Sequence, residues 1–138
     1  MKKKSDSKLR KECVTLAKKI VRKLKNYTCD YCHKKEPQVK THGSHVYSEH
    51  QYKSMSADLD NIIVLCYTHH IGGWNANEPA WHKDPLFMSD WFRTTFPAQY
   101  NSLKKRAQKP QYCDRQFWEN KLKELTNIWD KLNQTEWA

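Results

Sequence analysis

Seven histidines and five cysteines supply most of the side chains in this chain that could hold a metal or move a proton near neutral pH. Two of the cysteines and four of the histidines crowd into "CDYCHKKEPQVKTHGSHVYSEH", from Cys29 to His50. Cys66, His69 and His70 follow, and then His82. Taken alone, Cys29-x-x-Cys32 suits either a metal knuckle or a redox pair. Cys66-x-x-His69 tips the balance towards zinc, because two such turns, each aiming two ligands inward, complete a tetrahedron. The expected site is a closed Cys3His set of Cys29, Cys32, Cys66 and His69. It leaves no open coordination position, so the zinc is structural and its binding energy becomes folding energy.

The elements that must position these residues are legible from spacing. Leu9, Cys13, Leu16, Ile20 and Leu24, with Ala17 and Val21 beside them, form one apolar stripe on a helix from Lys8 to about Asn26. Residues 1–7 read as a frayed basic tail. "VKTHGSHVY" and "NIIVLC" are short, β-branched and flanked by turn formers, so they predict two strands of a hairpin joined by a polar loop of roughly a dozen residues. A short helix through "YTHHI" should then stop at Gly72-Gly73, and "WNANEPAWH" reads as loop. Asp84-Pro85 predicts a helix start, with Leu86, Phe87, Trp91 and Phe92 on helical spacing. Pro97 opens a further helix with Tyr100 and Leu103, broken at Lys109-Pro110. From about Asp114 to Asn133, Phe117, Trp118, Leu122, Leu125, Ile128, Trp129 and Leu132 give the clearest amphipathic pattern. Cys13 and Cys113 fall in helical patterns and read as small buried hydrophobes.

The balance of 25 Lys+Arg against 15 Asp+Glu gives a formal charge of +10, which points to a polyanionic partner, most commonly nucleic acid. No stretch is apolar enough for a membrane span or a signal peptide. An odd cysteine count fits a reduced compartment, so the expected location is cytoplasmic.

In order and spacing, "GSHVYS", "DLDNIIVLC" and the Cys-x-x-His-His run behind Cys-x-x-Cys resemble the HNH nucleases. The longer run through "WHKDPLFMSDWFRTTFPAQYNSL" is similar to phage NinG/Rap-type recombination endonucleases and their prophage relatives, over roughly residues 27–105. The resemblance implies an α+β fold: a small ββα-metal hairpin–helix core with a structural zinc knuckle, surrounded by helices. It implies one domain over residues 1–138, with a basic tail and helix (1–26), the zinc/HNH core (27–83) and a helical C-terminal part (84–138).

It further implies that His45 is the general base, that Asn61 orients it by a hydrogen bond across the hairpin, that His70 binds a catalytic divalent metal, and that His82 is a further metal ligand or a phosphate contact. The ion is Mg2+ or Mn2+, with Ni2+ or Zn2+ as alternatives. Family members often carry an Asp or His ligand immediately before the base. Here that residue is Ser44, and His42 or Asp60 stands as a substitute. His33 and His50 read as solvent-exposed bystanders.

The function so implied is hydrolysis of DNA, guided by its structure or backbone in preference to a long specific site, in phage or prophage recombination or repair inside a bacterial host. Branched or structured DNA is the expected partner. Lys18, Lys19, Arg22 and Lys23, with Lys104, Lys105 and Arg106, would contact phosphates. A homodimer is compatible with cutting paired strands, and the tryptophans of the last helix are core or a dimer face. The competing readings are a non-catalytic zinc module that binds nucleic acid and an adaptor using that last helix.

Overall fold

The computed structural model describes residues 3–72 and 77–135. Gly73 and residues 74–76 of the expected loop lie outside the described residues. The first helix, α1, spans Asp6–Leu24, and its start is set by Ser5, whose hydroxyl accepts from the Lys8 amide at 3.1 Å. That cap shortens the expected tail. The strands are β1, Thr41–His45, and β2, Ile62–Cys66. The short helix α2, Tyr67–His70, follows β2 directly. Helices α3, Pro85–Thr95, α4, Pro97–Ala107, and α5, Arg115–Thr135, complete the chain. The described residues thus form an α+β fold with a two-stranded antiparallel hairpin and five helices. No described helix is long and apolar enough to cross a membrane.

The hairpin register sets Thr41 opposite Cys66, Gly43 opposite Val64, and His45 opposite Ile62. The link between the strands is longer than the expected polar loop and contains two 3-10 turns, Lys53–Met55 and Leu59–Asn61. Every residue of β2 is buried. Ile62 and Val64 face one core with α1 and α5, while Ile63 and Leu65 face another with Met88, Phe92 and Leu103 of α3 and α4. A strand covered on both faces must be apolar throughout, which is why "IIVLC" lacks alternation.

The α1 stripe is Leu9, Cys13, Val14, Ala17, Ile20 and Val21, whereas Leu24 is exposed. It packs along α5, whose Trp118 and Leu125 are buried. Most of the aromatic stripe of α5 is therefore covered within the chain. On α3 the buried pair is Met88 and Phe92, one helical turn apart, and Leu86 and Phe87 in the first turn face outward. Cys13 is core, but Cys113 lies in the connection before α5 and is only half-buried, because Asp114 caps α5 behind it through the Phe117 amide at 2.9 Å.

Two contacts seat β1 against α1. Gly43 permits a close approach: a Cβ there would come within 2.8 Å of both Cβ and Cγ of Lys18. At the strand's start, the Glu36 carboxylate accepts from the Thr41 amide at 3.1 Å, from the Thr41 hydroxyl, and from Arg22 of α1 at 2.9 Å.

The Thr41 hydroxyl first, and Arg22 after it, hold the Glu36 carboxyl below the ordinary carboxylate value. Its contribution to stability is fully present above the unfolded value of about 4.3 and is lost as pH falls through the lower folded one. Urea midpoints of the wild type and Glu36→Gln should therefore differ most above about pH 4.3 and converge below it. Parallel curves across the whole acid range would contradict this role.

Candidate metal and nucleic-acid centre

The Cys29–Cys32 turn is docked on the outer edge of β2. Asp30 donates its amide to the Val64 carbonyl at 2.7 Å, and its carboxylate accepts from the Val64 amide at 2.9 Å. His33 closes the turn in the left-handed region (φ 64°), with its amide on the Cys29 carbonyl at 2.9 Å. Its job is thus backbone geometry. The docking brings the knuckle to Cys66 at the end of β2, and the sulfurs of Cys29, Cys32 and Cys66 all lie within 4.8 Å of one another. The amides of Cys32, Cys66 and Tyr31 point at the Cys29 sulfur, and that of His69 points at Cys66. Convergent sulfurs bonded by amides fit a thiophilic ion such as zinc, because the donors stabilise thiolate. With protons in place, burial pushes the Cys29 thiol up to about 12 and raises Cys66 as well.

His69 does not join that set. Its Nδ1 faces the Pro79 carbonyl at 2.8 Å, and its Nε2 lies 3.8 Å from the Glu78 carboxylate. Its ring stands beside Tyr31 of the knuckle, with centroids 4.6 Å apart. The three sulfurs converge without it, so the expected four-ligand geometry is not preformed.

The next residue, His70, points elsewhere. Its Nδ1 lies 3.0 Å from Nδ1 of His42, and its ring meets that of His82 edge-on at 4.7 Å. His82 is held there by backbone bonding: its amide donates to the His70 carbonyl at 3.0 Å, and that of Trp81 to the His69 carbonyl at 2.8 Å. These bonds satisfy carbonyls that a four-residue helix leaves open. Gly72, at φ 109°, turns the chain out of α2. Burial, then the neighbouring His82, His42, Lys18 and His45, pushes His70 down to about 4, so it is neutral at pH 7 with a lone pair to offer.

His45, His70 and His82 line one cleft of about 450 Å3 with Lys18, Ser44 and Trp81. Ser44 is buried, and its Oγ has no hydrogen-bond partner among the described residues. Burial lowers the His45 pKa, and the Ser56 carbonyl, 2.7 Å from Nε2, partly restores it. The Asn61 side chain does not bond His45. Its Oδ1 accepts from the Tyr47 amide at 2.8 Å, and its Nδ2 donates to the Tyr47 and Met55 carbonyls at 3.0 Å each. Buried Asn61 instead fixes the loop that carries Ser56, and so orients His45 at one remove. His50, expected to be a bystander, lines the cleft mouth with Glu49.

An adjoining cleft of about 410 Å3 is lined by Lys18, Lys19, Arg22, Lys40, His42 and His70, among others. Lys18 and His70 belong to both clefts, so a basic surface of α1 runs into the histidines. The other expected phosphate contacts divide differently. Lys23 is engaged with α5, 2.7 Å from Asn133 and over the Trp129 ring. Arg106 is paired with Asp58 at 2.7 Å and Asp60 at 2.9 Å, which removes Asp60 as a substitute ligand. Lys105 and Arg106 line a separate hollow with Ser54, Met55 and Asp58. Lys104 lines neither histidine cleft.

The Ser56 carbonyl and the Lys18–Gly43 contact were missed from sequence, since a backbone acceptor has no residue signature. Comparison with protein-family models, curated proteins and solved structures finds no match.

Metal analysis should find about one equivalent of zinc in the wild type and its loss in Cys29→Ser, with a lowered unfolding midpoint. A variant that keeps both metal and fold would remove the knuckle from the site.

Proposed function

We propose that the protein is a metal-dependent DNA endonuclease of the HNH type, with His45 as general base. The observation that carries this reading is one cleft, at the joint of hairpin and following helix, lined by His45, His70 and Lys18. A hydrogen bond from Nε2–H of His45 to the Ser56 carbonyl fixes the tautomer and leaves Nδ1 to take a proton from water. Asn61 is a positioning residue, acting through the loop. Lys18 and Lys19, with Arg22 and Lys40 beyond them, offer phosphate contacts that carry no sequence information and weaken with salt.

A divalent ion at His70 and His82 would stabilise the charge that develops on the phosphate oxygens. Zinc, in this reading, takes Cys29, Cys32 and Cys66; His69, whose Nδ1 is turned to the Pro79 carbonyl, would complete the set through Nε2 only after its ring moves away from the Glu78 carboxylate. The sequence resemblance adds a phage or prophage setting and branched DNA as the substrate.

A zinc-stabilised module that binds nucleic acid without cutting it is the second reading. The direct His42–His70 contact favours it, because the contact engages a ring nitrogen of His70.

Supercoiled plasmid and a four-way junction, incubated with Mg2+, Mn2+ or Ni2+, separate the two. Cleavage should fall by about 10²–10⁴-fold in His45→Ala while DNA binding persists. The base must be unprotonated, so activity is lost as pH falls through its folded pKa. Burial has lowered that value, so the acid limb should lie below the ordinary imidazole value of about 6.5. Cleavage undiminished in His45→Ala, or none with any ion despite tight binding, rules the mechanism out.

A further inference from the structure

We propose that Tyr67 is a base-stacking platform for an unpaired nucleotide of a DNA strand whose phosphates lie in the basic cleft along α1. That the strand is DNA rests on the nuclease reading; the platform itself rests on the placement of the ring.

Tyr67 is the first residue of α2, directly after Cys66. Its backbone is fixed from both sides, by buried β2 before it and by the Ile71 amide, which donates to its carbonyl at 2.9 Å. Its side chain is nevertheless open to solvent, at 52% exposure. A large ring on a rigid stem loses little entropy when a second ring lies on it. The His42 ring stands against it edge-on, with centroids 6.3 Å apart and planes at 90°. One neighbour of this kind covers at most one face of the tyrosine. Among the described residues the Tyr67 hydroxyl has no hydrogen bond.

The hairpin register sets this ring beside positive charge. Thr41 pairs with Cys66, so the residues one step beyond that pair are Lys40 and Tyr67. His42, against the tyrosine, lines the cleft of about 410 Å3 together with Lys18, Lys19, Arg22 and Lys40. Lys18, Lys19 and Lys40 have no ion pair among the described residues. Charge beside an open aromatic face suits a single strand: the lysines track its backbone and the ring takes a base. Inside a duplex each base already has a neighbour on both faces, so the ring serves an unpaired nucleotide, a branch or an end. Lys18 and His70 also line the cleft of His45, so the stacked nucleotide neighbours the phosphate presented there. Phe87, also exposed, lines its hollow with Glu78 and Asp84, whose charge repels a phosphate.

The test uses the full chain as purified, with no further divalent ion, so that binding is read without cleavage. Fluorescent DNAs are compared by anisotropy across a salt series: a single strand, its duplex, and that duplex with an unpaired nucleotide. Tyr67→Ala should weaken the single strand and the bulged duplex by at least about fivefold, the lower end for one base–ring stack. The plain duplex and the salt slope should not change. Tyr67→Phe and Tyr67→Trp should bind as wild type does, as should Tyr112→Ala, which removes an exposed tyrosine that lines neither cleft. Lys40→Ala should instead lower the salt slope by about one. In case Tyr67→Ala fails to fold, the wild type decides: a 2-aminopurine base moved along the single strand should be quenched at the stacked position.

Unchanged single-strand affinity in Tyr67→Ala, an equal loss on the plain duplex, as large a loss in Tyr67→Phe, or quenching at no position would each overturn the platform. An RNA strand of the same sequence bound more tightly would overturn the choice of DNA. Cleavage with Mg2+, Mn2+ or Ni2+ is scored in parallel. The expected binding pattern with no cleavage by the wild type upholds the platform and removes the nuclease reading. Cleavage together with unaltered binding in Tyr67→Ala removes the platform alone.

Discussion

The burial of β2 on both faces is the constraint on which the rest of this structure depends. Ile62 and Val64 pack against α1 and α5, and Ile63 and Leu65 against α3 and α4, so one five-residue strand joins two apolar layers. Burying an aliphatic side chain of this size contributes about 1.5–3 kcal/mol, and β2 is apolar at every position. Its register is held by bonding on both edges, to β1 on one side and to the Asp30 amide and carboxylate at Val64 on the other. Its ends are therefore fixed points. Asn61 stands immediately before it and Cys66 ends it, so the loop under His45 and the helix carrying His69 and His70 inherit their positions from the core.

That arrangement separates two kinds of centre built from neighbouring residues. His69 and His70 are adjacent on α2, and successive helical residues point about 100° apart. His69 turns its ring to Tyr31 and the cysteine knuckle, and His70 turns its ring to His42 and His82. The segment 79–82 ties both down, accepting from the His69 ring at Pro79 and donating from Trp81 and His82 to the helix carbonyls. A four-residue helix is too short to hold itself in isolation. It is held instead by the strand before it, the knuckle beside it and the segment along it, so an ion at the cysteines would stiffen the support of the histidine cleft as well.

Charge is divided by geometry in the same way. The net excess of lysine and arginine is spread along the chain, but only part of it reaches the histidines. Lys18 does so because Gly43 lets α1 lie against β1. Arg106 does not, since Asp58 and Asp60 take its guanidinium in a fork of charge-assisted bonds. Lys23, one residue beyond Arg22, is turned by the helix to α5.

Patterns that depend on neighbours in the chain were legible in the sequence. The apolar run of β2, the period of α1 and α5, Pro85 and Pro97 at helix starts, and the Cys-x-x-Cys turn are local, because steric fit and hydrophobic periodicity act over a few residues. So was the grouping of cysteines on either side of the hairpin. Long-range contacts decided the rest. That Leu24 and Leu86 face outward, that Asn61 braces a loop and leaves His45 to the Ser56 carbonyl, that His69 stands apart from the three sulfurs, and that His42 meets His70 all depend on register and packing between distant segments. A residue's type states which bonds it can make; only the folded chain decides which partner is within reach.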